Sequence, residues 1–159
     1  QQHAESIGGV IHKFYVEDGL SASKIRIDKR DKLQELSKKI TLVTFDIKQQ
    51  YSYLGVSSAK GFFDVLIGAY LCNPLKNDYS IVDIAGEYLG LMISDRVRLL
   101  EKSSLRQALE EKKEALKEYT GFLSYVCFMA MPEIRKRLEN EGMLSLFEEI
   151  EMPLSFCGV

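Results

Sequence analysis

Residues 61–90 read GFFDVLIGAYLCNPLKNDYSIVDIAGEYLG, and this stretch decides the fold. Phe62, Phe63, Val65, Leu66, Ile67, Ala69, Tyr70 and Leu71 put apolar side chains on every face, as in an element at the centre of a domain. The pattern predicts a short buried strand running into a buried helix. Asp64 is the one charge within it, placed where strand becomes helix and where a carboxylate can accept from the free N–H groups of the first turn. Asn73-Pro74 stops that helix, because proline lacks a donor and disfavours helical geometry in the residue before it. Ser80 opens a second helix with Asp83 as the other half of a capping box. Ile81, Ile84, Ala85, Tyr88 and Leu89 form its apolar stripe, and Gly90 ends it.

Before this stretch, residues 7–16 (IGGVIHKFYV) alternate and are rich in β-formers, EDG at 17–19 signals a turn, and 24–27 returns, so a hairpin is expected. Asp28 can cap a helix over 29–39 with Leu33 and Leu36 inward. Residues 40–45, ITLVTF, read as a central strand. A short helix over 47–54, with Asp46 as its cap, ends at Gly55. After Gly90, residues 91–102 have weak patterning and are expected to be a variable connection.

Ser104 and Gln107 form a capping box opening the longest helix, with Leu105, Leu109, Leu116, Tyr119, Leu123 and Val126 inward. EEKKE at 110–114 is its wet face, with Glu110 and Lys113 spaced to pair. Residues 122–131 are apolar on all sides and are expected in the core, where Phe122 and Phe128 join Phe62, Phe63 and Tyr70 as packed aromatics. Pro132 breaks or kinks the helix, which continues over 133–140 with Arg135, Lys136 and Arg137 exposed. Gly142 separates it from a final helix over 143–150. With no internal repeat or low-complexity tract, the reading is one α/β domain, a small mixed sheet with helices on its faces.

At 159 residues, 46% hydrophobic and 28% charged, the composition is that of a soluble globular domain. No stretch reaches the roughly 18 apolar residues of a membrane span, and none reads as a signal peptide. Cys72 and Cys127 lie in apolar helical runs and Cys157 lies late in the chain. Three thiols without paired spacing fit a reducing cytoplasm better than a disulfide framework or zinc site. His3 and His12 are too few for a histidine-rich metal site. A net charge of −2 argues against strong nonspecific nucleic-acid binding. Lys24, Arg26, Lys29 and Arg30, with Lys32, Lys38 and Lys39, are candidates for a local nucleic-acid-binding patch. Asp28, Asp31 and Glu35 dilute its field and no aromatics interleave, which favours a solvated helix face.

Phe63-Asp64, Leu71-Cys72-Asn73-Pro74 and the Ser80 to Gly90 helix match, in order and spacing, the 3′–5′ exonuclease domain of the family A DNA polymerases, of which bacterial DNA polymerase I is the type. There a strand ending in Phe-Asp leads to Leu-x-Asn-Pro and then to Ser-(Leu/Ile)-x-x-(Leu/Ile)-Ala-x-x-Tyr-Leu-Gly. LFEEIEMPL at 146–154 resembles the segment joining that domain to the polymerase domain. The resemblance implies a ribonuclease H-like 3′–5′ exonuclease fold over residues 1–154. Residues 155–159 are then the start of the junction or a non-native tail, the match stopping at Phe156. It also implies DNA as a partner through the parent polymerase, a polymerase domain packed against the C-terminal helix, and a cytoplasmic, nucleoid-associated place.

Active members of that family hydrolyse DNA from its 3′ end with two divalent metals, which need several acids around a pair roughly 4 Å apart. Three motifs supply them. The first, Asp-x-Glu on the opening strand, has no counterpart among the early acids Glu5, Glu17 and Asp18, so the opening strand is expected to be missing. The second, Asn-x3-Asp, aligns with Asp46 and Gln50, which replaces a carboxylate by a neutral amide. The third, Tyr-x3-Asp, aligns with Ala115 and Tyr119, losing both the phenol and the carboxylate. The resemblance therefore implies a degenerate, non-proofreading domain with no catalytic residues, no metal ligands and no cofactor. The alternatives are a weak exonuclease using Mg or Mn on Asp46 and Asp64, and a free-standing binding module for nucleic acid or protein. Asp64 is read as a helix cap, Tyr51 and Tyr53 as exposed aromatics beside the lost site. A missing opening strand would leave a sheet edge open to self-association.

Overall fold

Two short parallel strands, β1 (Leu42–Thr44) and β2 (Phe62–Asp64), form the centre of the computed structural model, which describes residues 41–51 and 56–157. Leu42 pairs with Phe62, Val43 with Phe63 and Thr44 with Asp64. The described residues are a mixed α/β unit, mostly helical around this sheet. The expected hairpin, the helix over 29–39, Tyr53 and the basic residues Lys24, Arg26, Lys29 and Arg30 lie outside the described residues. Among the described residues, no helix is long and apolar enough to cross a membrane.

β2 passes directly into α1 (Val65–Cys72), and Asp64 caps it as the sequence predicts. Oδ1 accepts from the Leu66 and Ile67 N–H groups at 3.0 and 3.1 Å. Oδ2 accepts from Thr44 Oγ1 at 2.9 Å and from the Ile47 N–H at 2.7 Å. One fully buried carboxylate thus ties α1, β1 and the 3-10 turn Ile47–Gln49 together. The cap expected of Asp46 is absent: its side chain makes no cap hydrogen bond, and the Gln49 N–H bonds the Asp46 carbonyl at 3.2 Å.

α1 buries Val65, Gly68, Ala69 and Cys72, but Tyr70 is 47% exposed, so the helix is not covered on all sides as expected. The sheet and the helix Lys113–Asn140 pack against it, and Tyr70 lies on the side they leave uncovered. α2 (Ile81–Leu89) has the predicted Ser80–Asp83 capping box, buries Ile81, Ile84 and Ala85, and ends at Gly90 with φ of 63°. The expected variable connection contains α3 (Arg96–Leu100), started by Asp95 Oδ1 accepting from the Arg98 N–H at 2.6 Å.

The longest helix is later and longer than the sequence suggests. Ser104 and Gln107 cap only α4 (Leu105–Glu111), the chain breaks at Lys112, and α5 spans Lys113–Asn140. Lys112 Nζ reaches the Leu100 carbonyl and Glu101 Oε2, and the break lets Ala108 and Leu116 both bury against Leu100. It also falls between Glu110 and Lys113; the ion pairs formed nearby are Lys112–Glu101 and Lys117–Glu114.

α5 runs unbroken through Pro132. Its inner stripe of Leu116, Thr120, Leu123, Val126, Cys127, Ala130, Ile134 and Leu138 is buried, and it packs on α1, α2 and β1. The expectation that 122–131 is core on all sides fails: Tyr125 is 53% and Phe128 55% exposed, and Phe122 is half-buried. Only one side of a helix laid across the surface of a small domain can be covered by it. Arg137 is likewise not a plain surface cation. It reaches Glu87 and Glu141 at 3.1 Å each and donates to the Cys72 carbonyl at the end of α1 at 3.3 Å.

Gly142, with φ of 70°, turns the chain into a helical run made of α6 (Leu144–Leu146), a π-helical turn (Phe147–Glu151) and α7 (Met152–Leu154). The run extends beyond the predicted end at 150. Its wide turn ends just before Pro153, which has no N–H to return to Glu149. Phe147 stacks on Phe63 with centroids 4.6 Å apart, and Phe156 packs against Tyr51 and Phe62.

At Gly68, α1 comes so close to α5 that a Cβ would lie 2.6 Å from Ile134 Cγ2. Gly68→Ala is expected to cost about 1–3 kcal/mol in urea unfolding, since a β-branched neighbour cannot move aside freely. Asp64→Asn, which turns an amide N–H₂ toward N–H donors, is expected to cost about 2–3 kcal/mol by the same measurement. A change below about 0.5 kcal/mol in either would show that these contacts do not hold the fold.

Candidate functional site

The carboxyl end of the parallel pair is where an open α/β sheet places its ligands, and Asp46 follows β1 there. It adopts a left-handed conformation, φ 59° and ψ 55°, which is strained for any residue with a Cβ and mildest for Asp and Asn. Asp46 and Lys48 border an open groove of about 810 Å³, completed by Tyr70 of α1, by Asp78 and Asp83 around the start of α2, and by Glu151. A smaller hollow of about 440 Å³ adjoins it through Tyr79 and Ser80 and is lined by Phe45, Asp95 and Tyr119.

Asp46 faces the larger groove. Gln50 donates from Nε2 to the Phe45 carbonyl at 2.8 Å. Tyr119 borders the smaller hollow and, with Ala115, packs against the cluster of Leu100, Ala108 and Leu116. Asp64, the other candidate carboxylate, is fully buried beneath the groove, its oxygens occupied by four donors.

Electrostatics follow from these surroundings. Burial pushes the Asp46 carboxyl above its ordinary 3.8, opposed by the Gln49 backbone and Lys48. Burial also pushes Asp64 up, against the hydrogen bonds of Ile47, Ile67 and Thr44. Asp83 goes the other way, down to about 2, because Lys76 and then Ser80 donate to it. Its charge belongs to the capping box and to the 2.7 Å Lys76 pair. The groove therefore carries acids at its rim rather than a converging set. Among the described residues, no group of three or more His, Cys, Asp and Glu side chains could hold a metal ion.

Lys48, Tyr70, Tyr79, Asp78 and Glu151 were not singled out as groove residues by sequence reasoning. They come from segments far apart in the chain and share no spacing.

Comparison with known proteins relates part of this chain to DNA polymerase I of Bacillus subtilis (strain 168), with 29% identity over 101 residues. The match covers 64% of this chain and 11% of that protein, so the chain spans only a small part of its relative's length. No family profile matches the chain, and no solved structure does.

Because burial raises the Asp46 pKa, the stability it contributes is fully present below about pH 3.8 and is lost as the pH rises through its folded value. Asp46→Asn removes that loss and suits the left-handed backbone. The variant is expected to be more stable than the parent at pH 7, with a smaller gain at pH 3.5, in paired urea titrations. A gain that grows toward low pH would contradict the burial of this carboxyl.

Proposed function

We propose that this chain is an exonuclease-like domain without a catalytic metal site, of ribonuclease H-like descent, that supports a bacterial DNA polymerase in replication and repair and meets DNA through it. Similarity to a region of DNA polymerase I supports the polymerase connection. The observation that carries the inactive reading is the use made of the former motif positions. Gln50 clamps the backbone at Phe45, while Ala115 and Tyr119 fill a packing cluster. In-line hydrolysis by two metals needs carboxylates that balance about four positive charges and fix the attacking water. Asp46 is the one acid left among these four positions, and the lone pairs of Asp64 are already engaged. Among the described residues magnesium or manganese then has no adequate seat, and the alternative of a weak exonuclease on Asp46 and Asp64 loses its second ligand.

The supporting role finds its surface on the terminal helical run. Phe147 and Met152 anchor it inward, while Leu146, Ile150 and Leu154 recur along its outside at 38, 49 and 54% exposure. A helix apolar on two faces suits a place between two bodies. This is the helix that the resemblance sets against a polymerase domain.

Incubating the purified chain with end-labelled single-stranded DNA and magnesium or manganese tests the reading. No shortening above a protein-free control is expected. Metal-dependent digestion that disappears in Asp46→Asn would overturn it.

A further inference from the structure

The two hollows at the end of the sheet share Tyr79 and Ser80, so they adjoin along one edge. Three aromatic rings, Phe45, Tyr79 and Tyr119, border the smaller one, and Asp95 is the charged side chain among them. Tyr70 joins Tyr79 in the larger one, beside Asp78 and Glu151. The remaining walls are mostly apolar, with Leu66, Ile67 and Leu154 in the larger hollow and Ile81 and Val82 in the smaller.

The acids of these walls differ in what they are paired with. Asp83 is held by Lys76 at 2.7 Å, and Lys48 acts on Asp46. Asp78, Asp95 and Glu151 take no part in an ion pair among the described residues. The Arg98 N–H bonded to Asp95 Oδ1 does not cancel that charge. Each hollow therefore sets aromatic rings beside a carboxylate whose charge is uncompensated. The wall also shows which charge its rings accept: the Lys76 ammonium lies 4.8 Å from the Tyr79 ring centroid.

We propose that the joined hollows bind a linear polyamine, one ammonium among Phe45, Tyr119 and Asp95 and another beside Tyr70, Asp78 and Glu151, with the methylenes passing Tyr79. The chemistry of the walls selects this ligand over others. A phosphate-bearing ligand would meet carboxylates at both ends. A bare divalent ion needs converging acids, which the described residues do not supply, and makes no use of the rings. A basic peptide would bring backbone amides to apolar walls that cannot pair them, whereas a polyamine brings only methylenes there. Two hollows, each with rings and an acid, call for at least two charges on one chain. This inference does not rest on the function proposed above.

Titration calorimetry of the full chain with spermidine at physiological salt tests it, with circular dichroism to verify folding. Saturable binding is expected, with butylamine, which has one charge, bound at least about tenfold more weakly. Tyr79→Phe, which keeps the ring, is expected to bind as the parent does. Tyr79→Leu and Asp95→Asn, which retains an acceptor for the Arg98 N–H, are each expected to bind about two- to fivefold more weakly. If Tyr79→Leu does not fold, the exposed Tyr70→Leu takes its place, with the same loss expected. Absence of saturable binding, displacement by magnesium as effective as by spermidine, a trilysine peptide bound more tightly than spermidine, or a folded ring-deletion variant that binds as the parent does would each overturn the proposal.

Discussion

A buried carboxylate with every lone pair engaged holds this structure together. Taking a charge out of water is tolerable only where donors replace the water, and Asp64 receives four. Two of them start α1, one comes from its cross-strand partner Thr44, and one from the backbone of the turn after β1. The register of the sheet, the onset of α1 and the path of the chain past Asp46 are therefore a single decision. A slip of one residue would turn Asp64 to the other face of the sheet and leave all four donors bare. The close approach of Gly68 to Ile134 follows, since it requires α1 to leave the sheet at this point and angle.

The sequence makes half of this legible. Caps are local, and the roles of Asp64, Ser80 with Asp83 and Ser104 with Gln107 can be read because donor and acceptor lie within three residues. The other half of the Asp64 network, to Thr44 and Ile47, spans 20 and 17 residues and has no spacing rule. Asp46 shows the consequence: it sits where a cap belongs, yet its side chain makes no cap bond, and the first N–H of the turn goes to Asp64 on the other strand. The break at Lys112 is equally hidden. No proline or glycine marks it, and its cause is a tertiary preference for burying Ala108 and Leu116 on Leu100. Residues 122–131 are apolar on all sides yet covered on only part of them, because composition reports how apolar a helix is, not how many sides have neighbours. The groove is the least legible feature, since its walls come from several separate segments.

On the proposed reading, the positions where a metal-dependent nuclease would keep its ligands carry packing and hydrogen-bonding work here. Tyr119 and Ala115 help to seat α3 and α4 on α5, and Gln50 steadies the turn that Asp64 also holds. Replacing a carboxylate that needs a metal by a side chain that packs removes a local repulsion and adds apolar burial, so loss of such a site can proceed without loss of the fold. Outward apolar side chains on α5 and on the terminal run leave this unit with two partly uncovered faces.

The account turns on Asp64 being structural rather than chemical. Crystals soaked in manganese and measured at its absorption edge address this directly. The prediction is no anomalous peak within bonding distance of Asp64 or Asp46, with the Asp64 carboxylate still held by Thr44, Ile47, Leu66 and Ile67. A pair of ions between these two residues, with the Asp64 side chain swung away from those donors, would contradict it.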